Sequence, residues 1–249
     1  MILLEHRPSG TSRRLKGDRA VTTSRALRQW GSLGGLAFVV LFVAGSVLIF
    51  DGPNGDEPPA KWIAFYGDGG NRDKINIGWI LAGLGVFFFL WFVASLRDTV
   101  RRASATPQSD GMLAFLVTIG GTAYAAVTLA TLGEAAGVRT MSDDTFQHEV
   151  FPGILHANSD GTYIAHATGT AALSAMIFAF SITVLATRAL PRWIGWFGLV
   201  AALAALVSVI FFTMFVWLLW IAVTSVVLFV AARREPRDTP MGSTVASPV

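Results

Sequence analysis

Residues 193–232 run for forty positions with no charged side chain and no histidine. As a single helix this run would be about 60 Å long, roughly twice the ~30 Å of hydrocarbon in a bilayer. It therefore reads as two membrane spans joined by a tight turn, placed near Ile210–Thr213. Four more apolar stretches, 31–50, 76–96, 112–133 and 164–187, are each long enough to cross once. Runs such as GVFFFLWFVASL at 85–96 are apolar all round, whereas a helix on a water-soluble core carries only an apolar stripe. Six spans result, with ranges 31–50, 76–96, 112–133, 164–187, 193–210 and 213–232.

Composition agrees. Only 14% of the 249 residues are charged, against about 25% in an ordinary soluble domain. There is no cysteine, which excludes disulfides, thiolate ligands and cysteine nucleophiles. No phosphate-cradling glycine loop or zinc-finger spacing is present, so the pI near 9.7 has another origin than nucleic-acid binding.

That origin is topology. Fifteen of the nineteen Lys and Arg lie in 1–30, 97–111, the link before Trp193 and the tail, whereas ten of the sixteen acids lie in 51–75 and 134–163. Basic segments stay cytoplasmic, so both termini are expected inside and the two acidic loops outside, at the plasma membrane. Five spans would put the basic tail outside. The arm 1–30 has too long a basic region and too complete an apolar run after it for a cleaved leader. It reads as a disordered, topology-setting arm, and the tail 233–249 reads as disordered too. The domain between them is 31–232.

Aromatic residues frame the spans as interfacial anchors do. Trp30, Trp193 and Trp196 fall near the inner edge; Trp62, Tyr66, Trp79 and Tyr163 fall near the outer one. No acid or base lies in the middle of any span, which argues against ion coupling or charge-driven sensing. Small and hydroxyl residues are abundant instead, in GGTAYAAVTLAT at 120–131 and ATGTAALSA at 167–175. Such residues let helices approach closely and bond across the contact. The two stretches are expected to pack together at the bundle centre; the alternative is a small polar cavity around Tyr124.

The stretch HEVFPGILHANSDGTYIAH at 148–166 holds three of the four histidines. His148, His156 and His166, with Glu149 or Glu134, form the one candidate metal set, zinc being the ion that imidazoles and a carboxylate suit. The gaps of eight and ten residues lack compact ligand spacing, and Pro152–Gly153 reads as a break. Asn158-Ser159-Asp160-Gly161 reads as a turn. The expectation is solvated histidines in a polar outer loop, with a short amphipathic segment in 141–157 carried by Phe146, Val150, Ile154 and Leu155, and no metal site. No nucleophile elbow of the G-x-S-x-G type exists for a serine hydrolase.

Two segments carry a resemblance: KWIAFYGDGGNRDKINIGWILAGLGVFFFLWFVASLRDTVRRA and LPRWIGWFGLVAALAALVSVIFFTMFVWLLWIAVTSVVLF. They are similar to a group of small six-helix integral membrane proteins widespread in actinobacteria, in which Pro-Arg-Trp-x-Gly-Trp opens span five. The likeness covers roughly 61–232 and implies the fold without any chemistry; the outer histidines are not part of its pattern. The chain is thus read as an all-α polytopic membrane protein with six transmembrane helices. The leading function is non-enzymatic: binding a membrane-protein partner, a second copy or lipid through outer loops and bundle face, with no nucleic acid and no cofactor. The rival is an outer-face metal-binding protein or metalloenzyme using the histidine set. A third reading is a passive carrier of an uncharged solute.

Overall fold

The computed structural model describes residues 29–53, 57–103, 107–210 and 212–234. Nearly all of the basic arm and of the tail lie outside them. The described residues hold no strand. They form seven helices: α1 Gly34–Ile49, α2 Pro59–Gly67, α3 Gly69–Ala103, α4 Pro107–Arg139, α5 Pro152–Thr187, α6 Arg192–Leu206 and α7 Thr213–Arg234.

Five helical stretches are long and apolar enough to cross a membrane: Gln29–Ile49, Gly69–Ala103, Gly111–Arg139, Pro152–Thr187 and Thr213–Arg234. The chain is an all-α, multi-pass membrane protein. The sixth apolar helix, α6, has 15 residues and is about 22 Å long. The forty-residue run does break, but earlier and more widely than at Ile210–Thr213: α6 ends at Leu206 and α7 begins at Thr213. Side chains make the break without Gly or Pro. Ser208 Oγ accepts from Trp217 Nε1 at 3.0 Å, Thr213 Oγ1 donates to the Ile210 carbonyl at 2.7 Å, and Tyr163 OH donates to the Val209 carbonyl. Trp220 Nε1 reaches the Ile194 carbonyl at 3.4 Å, so α6 and α7 lie antiparallel.

The helices close a ring in the order α1, α3, α4, α5, α6, α7 and back to α1. Close backbone approach holds the ring at its seams. A Cβ on Gly45 would sit 2.5 Å from the Gly78 carbonyl oxygen, and one on Gly78 would sit 2.8 Å from that of Gly45. Across α4 and α5, a Cβ on Gly120 would lie 2.6 Å from the Ala172 carbonyl oxygen. The two small-residue stretches at 120–131 and 167–175 therefore do pack on each other. Between α5 and α6, Thr170 and Ser174 donate to the Ala205 and Ala202 carbonyls at 2.6 and 2.7 Å. Outside, the ring presents Val40, Phe87, Phe115, Trp196, Leu203 and Leu219, an apolar belt suited to lipid.

Rings fill the inside. Tyr124 is the hub, its phenol 5.5 Å from Phe89, 5.8 Å from His166 and 5.9 Å from Trp217, centroid to centroid. Below it, Phe92 and Phe180 set their edges against Trp220 at 6.5 and 5.8 Å. Trp62, Tyr66, Ile75 and Leu155 make a second, smaller core at the other end, where α2 folds over the ring. Trp62 and Tyr66 are therefore packed in a cap and are not lipid-facing anchors; Trp30, Trp79, Tyr163, Trp193 and Trp196 are exposed as anchors should be.

α5 departs most from the sequence reading. It begins at Pro152, not at 164, and continues unbroken. Proline at the first helical position lacks only an N–H that has no intrahelical partner anyway, so Pro152 starts the helix and breaks nothing. The supposed turn 158–161 is helical, and the amphipathic segment expected in 141–157 does not form as one element, because the chain is turn and irregular up to Phe151 and α5 begins at Pro152. The expected outer loop 134–163 is thus mostly helix, its non-helical part running from Thr140 to Phe151.

Candidate functional site

Because α5 starts early, it brings Asn158, Thr162 and His166 onto one face at a spacing of four. That face meets α4. The two helices pair Gly120 with Met176, Val127 with Gly169 and Arg139 with Asn158 in one antiparallel register. The register sets Thr162 opposite Ala135 and His166 opposite Thr131. From Arg139 to the level of Thr131 is eight residues of helix, about 12 Å.

Arg139 ends α4 and is only 3% exposed. Helix geometry tilts its side chain back toward the start of α4, into the bundle. Nη1 donates to the Ala135 carbonyl at 3.2 Å and to Asn158 Oδ1 at 3.2 Å, and Nη2 donates to Ser159 Oγ at 3.3 Å. The Phe50 ring of the α1 end lies over the guanidinium, 5.1 Å from its carbon. One turn deeper Thr162 is buried, and deeper still His166 sits between Phe42 of α1, stacked at 5.8 Å, and Tyr124. The Thr128 hydroxyl lies beside that of Tyr124.

Among the described residues eight buried side-chain polar atoms have no hydrogen-bond partner within the protein. Four lie along this seam at Arg139 Nε, Thr162 Oγ1, His166 Nε2 and Thr128 Oγ1, and Tyr124 OH is a fifth. Trp62 Nε1 and His156 Nε2 lie in the cap, their rings 4.2 Å apart, and only Thr224 lies on α7. Buried polar groups in folded proteins almost always find partners, so a cluster of unmet ones sets this seam apart from the rest of the bundle. The contrast within these helices is direct. Thr118, Thr140, Thr168, Thr183 and Thr187 return their hydroxyls to their own helix, four residues back. Thr128 and Thr162 do not.

The histidine set is dispersed. His148 and Glu149 are exposed in the 140–151 segment and Glu134 faces outward on α4. His156 packs edge-on to Trp62, and His166 lies ten residues, about 15 Å, further down α5. Among the described residues no three His, Cys, Asp or Glu side chains come together as metal ligands would. Neither His156 nor His166 is a solvated loop residue; both are half-buried on a helix, against aromatic rings. Arg139, counted as one more loop charge in the sequence, is the residue that reading missed. The signal was there in the four-residue spacing of Asn158, Thr162, His166 and Thr170, hidden by the apparent Asn-Ser-Asp-Gly turn.

At the opposite end, Ser32, Ser95, Asp98, Arg102, Leu190 and Leu228 line a groove of about 220 Å³. Asp98 and Arg102 in it form an ion pair within a single helix turn. The chain matches no family model, no curated protein and no solved structure. The class therefore rests on the fold and on the seam themselves: a ring of apolar helices enclosing a half-length polar axis.

Proposed function

We propose that this is a non-enzymatic binding protein of the plasma membrane, taking a polar ligand into the seam from the outer face. In this reading it has six spans, cytoplasmic termini, and the segments 51–75 and 134–163 outside. The partition of basic and acidic residues supports that orientation. The observation that carries the binding reading is the run of unmet buried polar atoms from Arg139 to Tyr124. Binding is favoured over conduction because the axis is closed below Tyr124 by Phe92, Phe180 and Trp220. It is favoured over catalysis because His156 and His166 are packed against aromatic rings.

The sign of a stability change tests it. A buried hydroxyl that never meets a partner costs about 1–3 kcal/mol, and removing it stabilises; one that meets solvent or ligand oxygens contributes about 1 kcal/mol. Thr162→Val and Tyr124→Phe are therefore each expected to cost about 1 kcal/mol of stability, read as a lower midpoint of thermal unfolding in detergent. Thr224→Val, outside the seam, is the reference and is expected to leave it level or raise it. Higher midpoints for both seam variants would make the seam dry packing and remove the basis for a ligand.

A further inference from the structure

We infer that Arg139 is an anion-recognition group, presenting its Nε–Nη2 edge to two oxygens of a phosphate group. This rests on the binding reading above and names the ligand's chemistry. Both Nη1 hydrogens are engaged, by the Ala135 carbonyl and Asn158, and Ser159 takes one from Nη2. Nε–H has no partner, and Nη2 keeps one further hydrogen beyond the one given to Ser159. Two parallel donors on a planar cation form the fork that fits a carboxylate or phosphate bidentately. The charge is also unmatched. Among the described residues the ion pairs are Lys61 with Glu57 and Arg102 with Asp98, so no carboxylate oxygen lies within 4.0 Å of Arg139. A cation buried to this degree carries a desolvation cost that a counter-charge would offset.

Depth selects phosphate. The span-capable helix that ends in Arg139 runs Gly111–Arg139, 29 residues, so Arg139 stands 14 residues, about 21 Å, from its midpoint. The hydrocarbon ends about 15 Å from the membrane centre and the headgroup region reaches to about 20–22 Å. With that helix centred across the bilayer, Arg139 falls at the level of phospholipid phosphates, and the half-exposed Phe50 ring covers its face. A phosphate reaches this position on a lipid headgroup or from a soluble ligand; the oxyanion chemistry is the same.

The test is thermal unfolding of the full chain in an uncharged detergent, followed by tryptophan fluorescence. Inorganic phosphate and short-chain phosphatidylglycerol are titrated separately, against sodium chloride at matched ionic strength and against dihexanoylglycerol. A saturable rise in the midpoint of roughly 5 °C or more is expected for at least one phosphate probe and for neither control. A rise with inorganic phosphate means that the oxyanion alone suffices. A rise confined to the phospholipid assigns the headgroup. Asn158→Asp places a carboxylate 3.2 Å from Nη1 in nearly the same volume, giving Arg139 an internal counter-charge. That variant is expected to fold with an unchanged or higher midpoint and to bind the effective probe at least about tenfold more weakly. Arg139→Lys keeps the charge but loses the fork, and is expected to weaken binding as much. No response beyond the chloride control, or a full response in Asn158→Asp, overturns the assignment. Failure of the underlying seam is separately visible, because Thr162→Val then raises the midpoint without any phosphate present.

Discussion

Gly45→Leu and Gly120→Leu are each expected to leave little folded protein, with a loss of more than about 3 kcal/mol. The obstacle in both cases is backbone. At Gly45 the new Cβ meets the Gly78 carbonyl oxygen at 2.5 Å and the Ala82 nitrogen at 2.7 Å; at Gly120 it meets the Ala172 oxygen at 2.6 Å and the Met176 nitrogen at 3.0 Å. A rotamer change relieves neither contact, so α1 must move off α3, or α4 off α5. Gly121→Leu should be milder, because the atoms it meets are the ends of Val93 and Met176. Gly83→Leu and Gly133→Leu, with nothing within 4 Å, should fall within about 0.5 kcal/mol of the parent. The measurement is the monodisperse fraction and unfolding midpoint in detergent. Full stability of both Gly45→Leu and Gly120→Leu would mean that the ring is not closed at these seams.

Arg139→Met should destabilise by about 2 kcal/mol even with no ligand present, because it strands Asn158 Oδ1 and Ser159 Oγ in a buried contact. The loss should not persist when both sides become apolar. Replacing a buried ionic cluster with hydrophobic residues of similar volume is commonly neutral or stabilising by 1–4 kcal/mol. Arg139→Met combined with Asn158→Leu is thus expected to unfold at or above the parent midpoint while losing the phosphate response. That pattern would show the arginine to be held for recognition at a cost in stability. A single variant more stable than the parent would instead mean that Arg139 supports nothing around it.

The five long apolar helices were legible in the sequence because length and continuous apolarity mark membrane-crossing segments. The close packing of Gly120 and Gly169 regions was legible too, from the density of small residues. What local pattern hid was α5. Pro152, Gly153 and the run Asn158 to Gly161 are turn formers by propensity, and tertiary contacts override them. Proline fits the first turn, and Asn158 gives its side chain to Arg139 rather than to its own backbone. The seam was half legible: a cavity around Tyr124 was one reading of the small-residue stripe, but its upper wall needs Arg139 and Asn158 on helices. Charge counting had placed Arg139 in a loop. The break after Leu206 was expected from length alone, and its position was not, because it depends on Trp217 and Tyr163 bonding to the turn.

The most direct measurement of the central claim is thiol labelling in intact cells. The chain has no cysteine, so a single introduced one reports alone. Thr162→Cys is predicted to react with a small membrane-impermeant thiol reagent added outside, more slowly than the exposed Thr145→Cys but to completion. Ser243→Cys, in the tail, is predicted to react only after the membrane is opened. If Thr162→Cys stays unreactive while Thr145→Cys is fully labelled, or if Ser243→Cys is labelled in intact cells, the outward-facing seam in a six-span ring is wrong.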